Sequence, residues 1–243
     1  MSKVDDRHDP NTRPIGRRIV LGSLGAAALG IVFGARTQDA LQRLLLPITL
    51  HDPTGLSDLL PVAGRFRIYS VTGDLPHRSA EAYRLTVGGL VEHPMTLTLA
   101  DLKAMPRTRL VKDFQCVTGW RVHHVEWAGV RLADVLAAAG VRTGAGAVSF
   151  HSFDGAYTES LTLDQARRPD VIVAYEMVGK PVATMHGGPV RMYIAPMYGY
   201  KSCKWLDAIH VTRSVEGGYW EQRGYDQNAW LGSSNGRDDN PTS

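Results

Sequence analysis

Cysteine is scarce: the 243-residue chain has two, Cys116 and Cys203. That excludes a disulfide-rich scaffold and any multi-cysteine zinc or iron–sulfur site. The sequence also has no GxxxxGK[ST], no HExxH and no complete GxGxxG, so a phosphate-binding P-loop, a helical zinc protease site and a Rossmann turn lack support. Charge of one sign is missing too. Residues 1–36 hold six of the 27 Lys and Arg and three of the 24 Asp and Glu, which leaves 21 of each in the rest. A chain balanced in this way is not held on nucleic acid by bulk positive charge. Hydrophobic residues make up 44% and charged residues 21%, the mixture of a globular protein with enough length for a full core.

The basic excess belongs to a leader. Ile19 to Ala35 is uncharged and rich in Gly and Ala, and Arg17-Arg18 stand directly before it. A charged region followed by a modest apolar run is a targeting segment, and the paired arginines fit twin-arginine export of chains already folded around a cofactor. A transmembrane anchor is the alternative reading, because about 20 residues span a bilayer. No A-x-A site follows the run, so cleavage and anchoring both stay open. Either way the expectation is an exported protein, periplasmic or on the outer face of the cytoplasmic membrane.

After the leader (1–36), Pro47, Pro53 and Gly55 mark 37–59 as a linker. From there, β-like runs alternate with short helices. Strands are expected at 83–87, 109–117, 147–153, 171–177, 190–194 and 209–212. Helices are expected over LADLKAM, opened by a Thr98/Asp101 capping box, and over 132–139, stopped by Gly140. The uneven spacing excludes regular βαβ winding and points to an α+β domain with mixed sheets over 60–225, followed by a polar tail over 226–243.

Cys116 sits between a strand and the turn-prone Thr118-Gly119, a place where a thiolate binds metal or reacts. A buried small hydrophobe, or a disulfide with Cys203, would also account for it. A thiol hydrolase pairing Cys116 with His123 or His151 is a third reading. His123 and His124 are adjacent rather than four apart, so they do not form a helical zinc pair and read as surface or supporting residues. Asp154, Glu159 and Asp164 read as ordinary loop and helix-start carboxylates. The stretch HGGPVRMYIAPMYGYKSCKW gathers His186, Arg191, Lys201, Ser202 and Lys204 around glycine turns. Close backbone approach, an arginine fork and lysine point charges together make an anion site, with a solvated basic hairpin as the alternative.

DFQCVTGWRVHHVEWAGVRLADVL and HGGPVRMYIAPMYGYKSCKWLDAIHV together resemble the sulfite oxidase family of molybdenum enzymes, and its bacterial exported branch that includes the protein-methionine-sulfoxide reductase catalytic subunit. The similarity covers about residues 60–225, and it implies a sulfite oxidase-like molybdopterin-binding domain. Residue by residue, it implies Cys116 as the thiolate ligand of molybdenum, with one molybdenum-molybdopterin per chain supplying the dithiolene sulfurs. His186 and Arg191 match the HGxPxR pattern, with Arg191 near the pterin phosphate. Ser202, Cys203 and Lys204 match the short segment that holds the cofactor, which implies that Cys116 is taken by the metal rather than by a disulfide with Cys203. Ser152 stands where the reductase branch has a threonine against the pterin. Tyr69 and Ser70 match a Tyr-acidic pair, with serine replacing the acid. Arg121 faces the substrate channel or forms a surface salt bridge.

The implied reaction is two-electron oxygen-atom transfer on a small or protein-borne oxide, with S- or N-oxide reduction favoured because few cations surround Cys116. Sulfite-type oxidation and a non-enzymatic envelope module binding a phosphorylated ligand are the alternatives. The sequence has no CxxCH and no cytochrome b5-like region, so the expectation is a separate redox partner, a membrane haem protein by analogy.

Overall fold

Leu85 and Val87 are buried while Thr86 between them is exposed, the alternation of a half-covered strand, and they lie in β1 (Leu85–Gly89). The computed structural model describes residues 66–232. The leader, the 37–59 linker, the first residues of the 60–225 domain and the tail beyond 232 lie outside the described residues. β2 (Met95–Leu97) leads into α1 (Leu99–Ala104), where the Thr98 side chain accepts from Asp101 N at 3.1 Å and Asp101 accepts from Thr98 N at 2.8 Å. The long hairpin of β3 (Arg107–Gln115) and β4 (Arg121–Arg131) follows, then α2 (Leu132–Ala139), closed by Gly140 in the left-handed conformation. β5 (Ala147–Ser152), β6 (Thr158–Thr162) and α3 (Leu163–Ala166) precede β7 (Val171–Met177), β8 (Lys180–Pro181), β9 (Arg191–Ile194) and β10 (Leu206–Thr212).

These strands form two five-stranded sheets. One has the order β2-β1-β10-β5-β6, with β1 and β10 parallel. The other runs β3-β4-β7-β8, with β9 also paired to β7, and is antiparallel throughout. Val171, Val173 and Tyr175 of β7 enter the larger core, and Ile172, Ala174 and Met177 enter a smaller core on the opposite face. Burial on both faces explains why residues 171–175 of this strand read as an unbroken apolar run. The architecture is α+β, with mixed sheets and short helices.

β2, β4, β6 and β8 have no counterpart among the expected strands. In β4, polar residues at Arg121, His123, His124 and Glu126 hide the alternation, and its register against β3 shifts between Lys112 and Phe114. The packed chain also continues past residue 225, where the polar tail was expected to begin. Ala229 is buried, Tyr198 N donates to its carbonyl at 2.9 Å, and Trp230 bridges Met197.

Candidate active site

At the end of β3 the chain turns through Cys116–Trp120. Cys116 N donates to Trp120 O at 2.9 Å and Gly119 N donates to Cys116 O at 3.0 Å, with Gly119 at φ 93°. This turn leaves the Cys116 side chain half-buried on the wall of a cavity of about 430 Å³, within the size range of small-molecule and cofactor sites. Thr118 Oγ1 donates to Cys116 Sγ at 3.3 Å. Both cysteines are free thiols.

Beside the thiol the wall is aromatic. Phe66 packs on Phe114 at 5.1 Å between ring centroids, and Phe114 stacks on Trp120 at 5.8 Å. A second aromatic group, Tyr157, Tyr219, Trp220 and Tyr225, lines the same cavity, with successive centroids 5.0–5.7 Å apart.

The cavity's charge comes from β9 and the turn after it. Arg191 is 3% exposed, and its guanidinium donates to three backbone carbonyls: His186 at 2.6 Å, Ser202 at 3.0 Å and Met192 at 3.1 Å. No carboxylate among the described residues pairs with it, and burial lowers its pKa to about 10. Lys204 donates to Tyr69 O and lies 4.2 Å over the Trp205 ring, again with no carboxylate partner among the described residues. Burial, reinforced by the charge of Arg191, lowers the Lys204 pKa to about 7. Two cations held this way make the cavity a place for an anion, because an uncompensated buried charge is costly.

Lys201 belongs to a different structure. It is fully buried and spends its charge on Glu159 and on Glu221 Oε1, the latter at 2.5 Å, so the anion-site reading loses one of its lysines. Burial raises the Glu159 pKa to about 8 even with Lys201 against it. The glycines also differ from the expectation of a ligand cradle. A Cβ on Gly187 would lie 2.6 Å from Lys204 Cβ, one on Gly188 1.8 Å from the Val182 carbonyl oxygen, and one on Gly199 2.4 Å from the Phe114 ring. These glycines let protein segments close on one another, and that contact sets where Lys204 and Phe114 stand.

Of the residues singled out in the sequence, Tyr69, Ser70, Cys116, His186, Arg191, Ser202 and Lys204 line the cavity. Tyr69 is 55% exposed and contributes its carbonyl to Lys204. Ser202 Oγ accepts from Ile194 N at 3.0 Å, which fixes the turn whose carbonyl Arg191 holds. Ser152, Cys203 and Arg121, which the resemblance also marked, lie outside the lining. Ser152 is buried and accepts from Asp154 N at 3.1 Å, Cys203 is fully buried with its thiol pKa pushed up by burial, and Arg121 pairs with Asp113 at 3.5 Å. Asp154 does line the cavity. Its Oδ1 accepts from Ala156 N and Tyr157 N at 2.9 and 2.8 Å, and its buried Oδ2 has no partner among the described residues. Trp120 Nε1, also buried on this wall, has none either. The Asp154-Gly155 turn was visible in the sequence, but its placement against β10 was not.

A soft thiol, two unbalanced cations, an unpartnered N–H and an unpartnered carboxylate oxygen in one cavity fit a ligand with sulfur-bound metal, hydrogen-bonding heterocycle and phosphate. Residues 72–220 match the oxidoreductase molybdopterin-binding domain family. The chain belongs to it. It is a molybdopterin-binding oxidoreductase of the sulfite oxidase type. Relatives include the oxidoreductase YuiH of Bacillus subtilis, 40% identical over 63% of this chain and 78% of its own length. A sulfite oxidase of Arabidopsis thaliana is 32% identical over 60% of this chain and 46% of its own length. An Azospira oryzae protein named as a protein-methionine-sulfoxide reductase subunit is 32% identical over 76% of this chain and 71% of its own length. The sulfane dehydrogenase SoxCD of Paracoccus pantotrophus shares the fold, with a TM-score of 0.54 at 24% identity over 58% of this chain and 41% of that one.

Proposed function

We propose that this oxidoreductase is exported and catalyses oxygen-atom transfer to or from a neutral S- or N-oxide, with reduction of the oxide favoured. The observation that carries the reading is the Cys116 thiol opening beside an aromatic wall into a cavity where the buried Arg191 and the half-buried Lys204 lack carboxylate partners among the described residues. Cys116 would hold the metal. Arg191 and Lys204 would hold the cofactor's phosphate, and Tyr69, Ser70, His186 and Ser202 would shape its bed from the cavity lining. Ser152 and Cys203 would act from behind that lining, by fixing the Asp154 turn and the Ser202–Lys204 turn. When bound, the molybdenum supplies two-electron redox chemistry coupled to movement of one oxygen atom.

The chain's own contribution is binding and exclusion. Phe66, Phe114 and Trp120 present apolar surface next to Cys116, which favours a neutral substrate and keeps water from the reacting face. Arg121 lies outside the lining and so does not add a cation for a sulfite-like oxyanion. The remaining lining cation, Arg67, is exposed. This distribution is the reason to place sulfite oxidation second. Electrons would be exchanged with a separate partner, in keeping with the Azospira oryzae relative being named as a subunit. Export rests on Arg17-Arg18 and the uncharged run after them.

Elemental analysis of full-length protein made with its own leader tests the cofactor, and turnover of aryl and alkyl sulfoxides, amine N-oxides and sulfite with an artificial electron donor or acceptor tests the direction. Near-stoichiometric molybdenum with sulfoxide or N-oxide reduction supports the reading. Molybdenum with turnover of sulfite alone overturns the preferred direction. Arg17-Arg18→Lys-Lys is expected to hold the folded protein in the cytoplasm, which fractionation reads directly; unchanged export removes the twin-arginine route.

A further inference from the structure

In a regular strand, consecutive side chains point to opposite faces, so two adjacent histidines could not share a ligand. β4 breaks that rule at His123-His124. Lys112 pairs with Val125 and Phe114 pairs with Val122, so Asp113 alone on β3 opposes both histidines on β4. This is a β-bulge, with His124 at φ 54°. The burial pattern records the extra residue: Val122, Val125 and Trp127 all reach the smaller core, and both histidines are left on the other side.

The result is a donor set. One imidazole nitrogen from each histidine and one Asp113 carboxylate oxygen lie within 4.8 Å of one another, the one such group of three among the described residues. Asp113 Oδ2 is 2.7 Å from His123 Nδ1, and Oδ1 accepts from His124 N at 3.0 Å, so the carboxylate is already oriented by the backbone. Tetrahedral zinc with nitrogen and oxygen ligands needs donors about 3.3 Å apart, which small rotations of the half-exposed His123 and exposed His124 reach. We propose that Asp113, His123 and His124 bind a divalent transition metal of the zinc class, with water as the fourth ligand, at a site separate from the Cys116 cavity. Arg121 is the competing cation. Its pair with Asp113 is loose at 3.5 Å, and a side chain 27% exposed can leave as the metal enters. None of the three proposed ligands lines the cavity. The metal would staple β3 to β4 across the bulge, a few residues before the turn that carries Cys116.

The test is titration of chelator-treated full-length protein with Zn2+ by calorimetry and with Co2+ by visible absorption, which reports four-coordinate geometry. One equivalent is expected in the wild type and in Cys116→Ser. His123→Gln and His124→Asn should each lose it; asparagine tolerates the positive φ and so keeps the bulge. A rise in melting temperature on adding zinc should vanish in the same two variants, whose circular dichroism should match the wild type. Absence of a bound equivalent, undiminished binding in either histidine variant, or loss of binding in Cys116→Ser would overturn the proposal.

Discussion

Arg191 Nη1 donates to the carbonyl oxygen of His186 at 2.6 Å, and so the cation joins the start of the Gly-Gly-Pro loop to the strand that leaves it. The same guanidinium reaches Ser202 O and Met192 O, a fork that lysine cannot reproduce. Arg191→Lys keeps the charge but leaves at least one buried carbonyl unpaired, at a cost of about 1–3 kcal/mol for each. The expected outcome is a lower melting temperature together with a fall in bound pterin, read by calorimetry and by fluorescence of the oxidised pterin.

Cys116→Ser removes the sulfur but little volume, and the turn is held by backbone bonds to Trp120 O and from Gly119 N that do not involve the side chain. Folding and part of the pterin content should survive while turnover falls to background. Undiminished turnover would remove Cys116 from the mechanism.

Lys204 should make anion binding pH-dependent. Its pKa in the ligand-free protein is lowered to about 7, so the charged form is lost as pH rises past that value. Inorganic pyrophosphate affinity of ligand-free protein is expected to fall by up to about tenfold per pH unit above the Lys204 pKa. Lys204→Met should bind weakly at every pH and show a flat profile by calorimetry.

Glu159 makes folding stability, rather than anion binding, fall as pH rises. Its pKa rises from 4.5 when unfolded to about 8 when folded, because burial outweighs the attraction of Lys201. The folded state therefore holds more protons across that interval. The contribution is complete below about 4.5 and drains away as pH rises through 8, lowering stability on the order of a few kcal/mol. Urea midpoints at pH 5 and pH 7 read this loss before Lys204 has given up more than about half of its charge. The wild type should be less stable at pH 7, and Glu159→Gln should flatten the difference.

Local signals in the sequence were strong where one residue type has one physical use. The Thr98/Asp101 capping box and the Gly140 stop mark α1 and α2, and the apolar run of β7 marks a strand covered on both faces. Cys116, Arg191 and Lys204 were identifiable because a thiol after a strand and a basic glycine-rich turn each suit metal or anion chemistry. β4 was hidden by its bulge, since a single inserted residue shifts the hydrophobic phase and disguises the period. The fate of Lys201 was also hidden. Glu159 and Glu221 lie 42 and 20 residues away from it, and the pairing exists only after β6 and the Glu221–Arg223 turn are folded. The glycines of the 186–205 stretch misled for a related reason, because close approach of backbone to a ligand and to another protein segment leave the same trace in sequence.

The parallel pairing of β1 with β10 imposes an order of assembly. Thr86 lies opposite Ala208 and Gly89 opposite Val211, so the first strand of the domain waits for the last. A nascent chain emerging from the ribosome cannot finish this sheet by local hairpins, and contacts across more than a hundred residues slow the final step. The cavity has the same dependence, because its walls come from residues 66–71 at one end and 219–225 at the other. A cofactor can therefore be enclosed only after synthesis has passed both ends of the domain, and removing either end opens the cavity rather than trimming its edge.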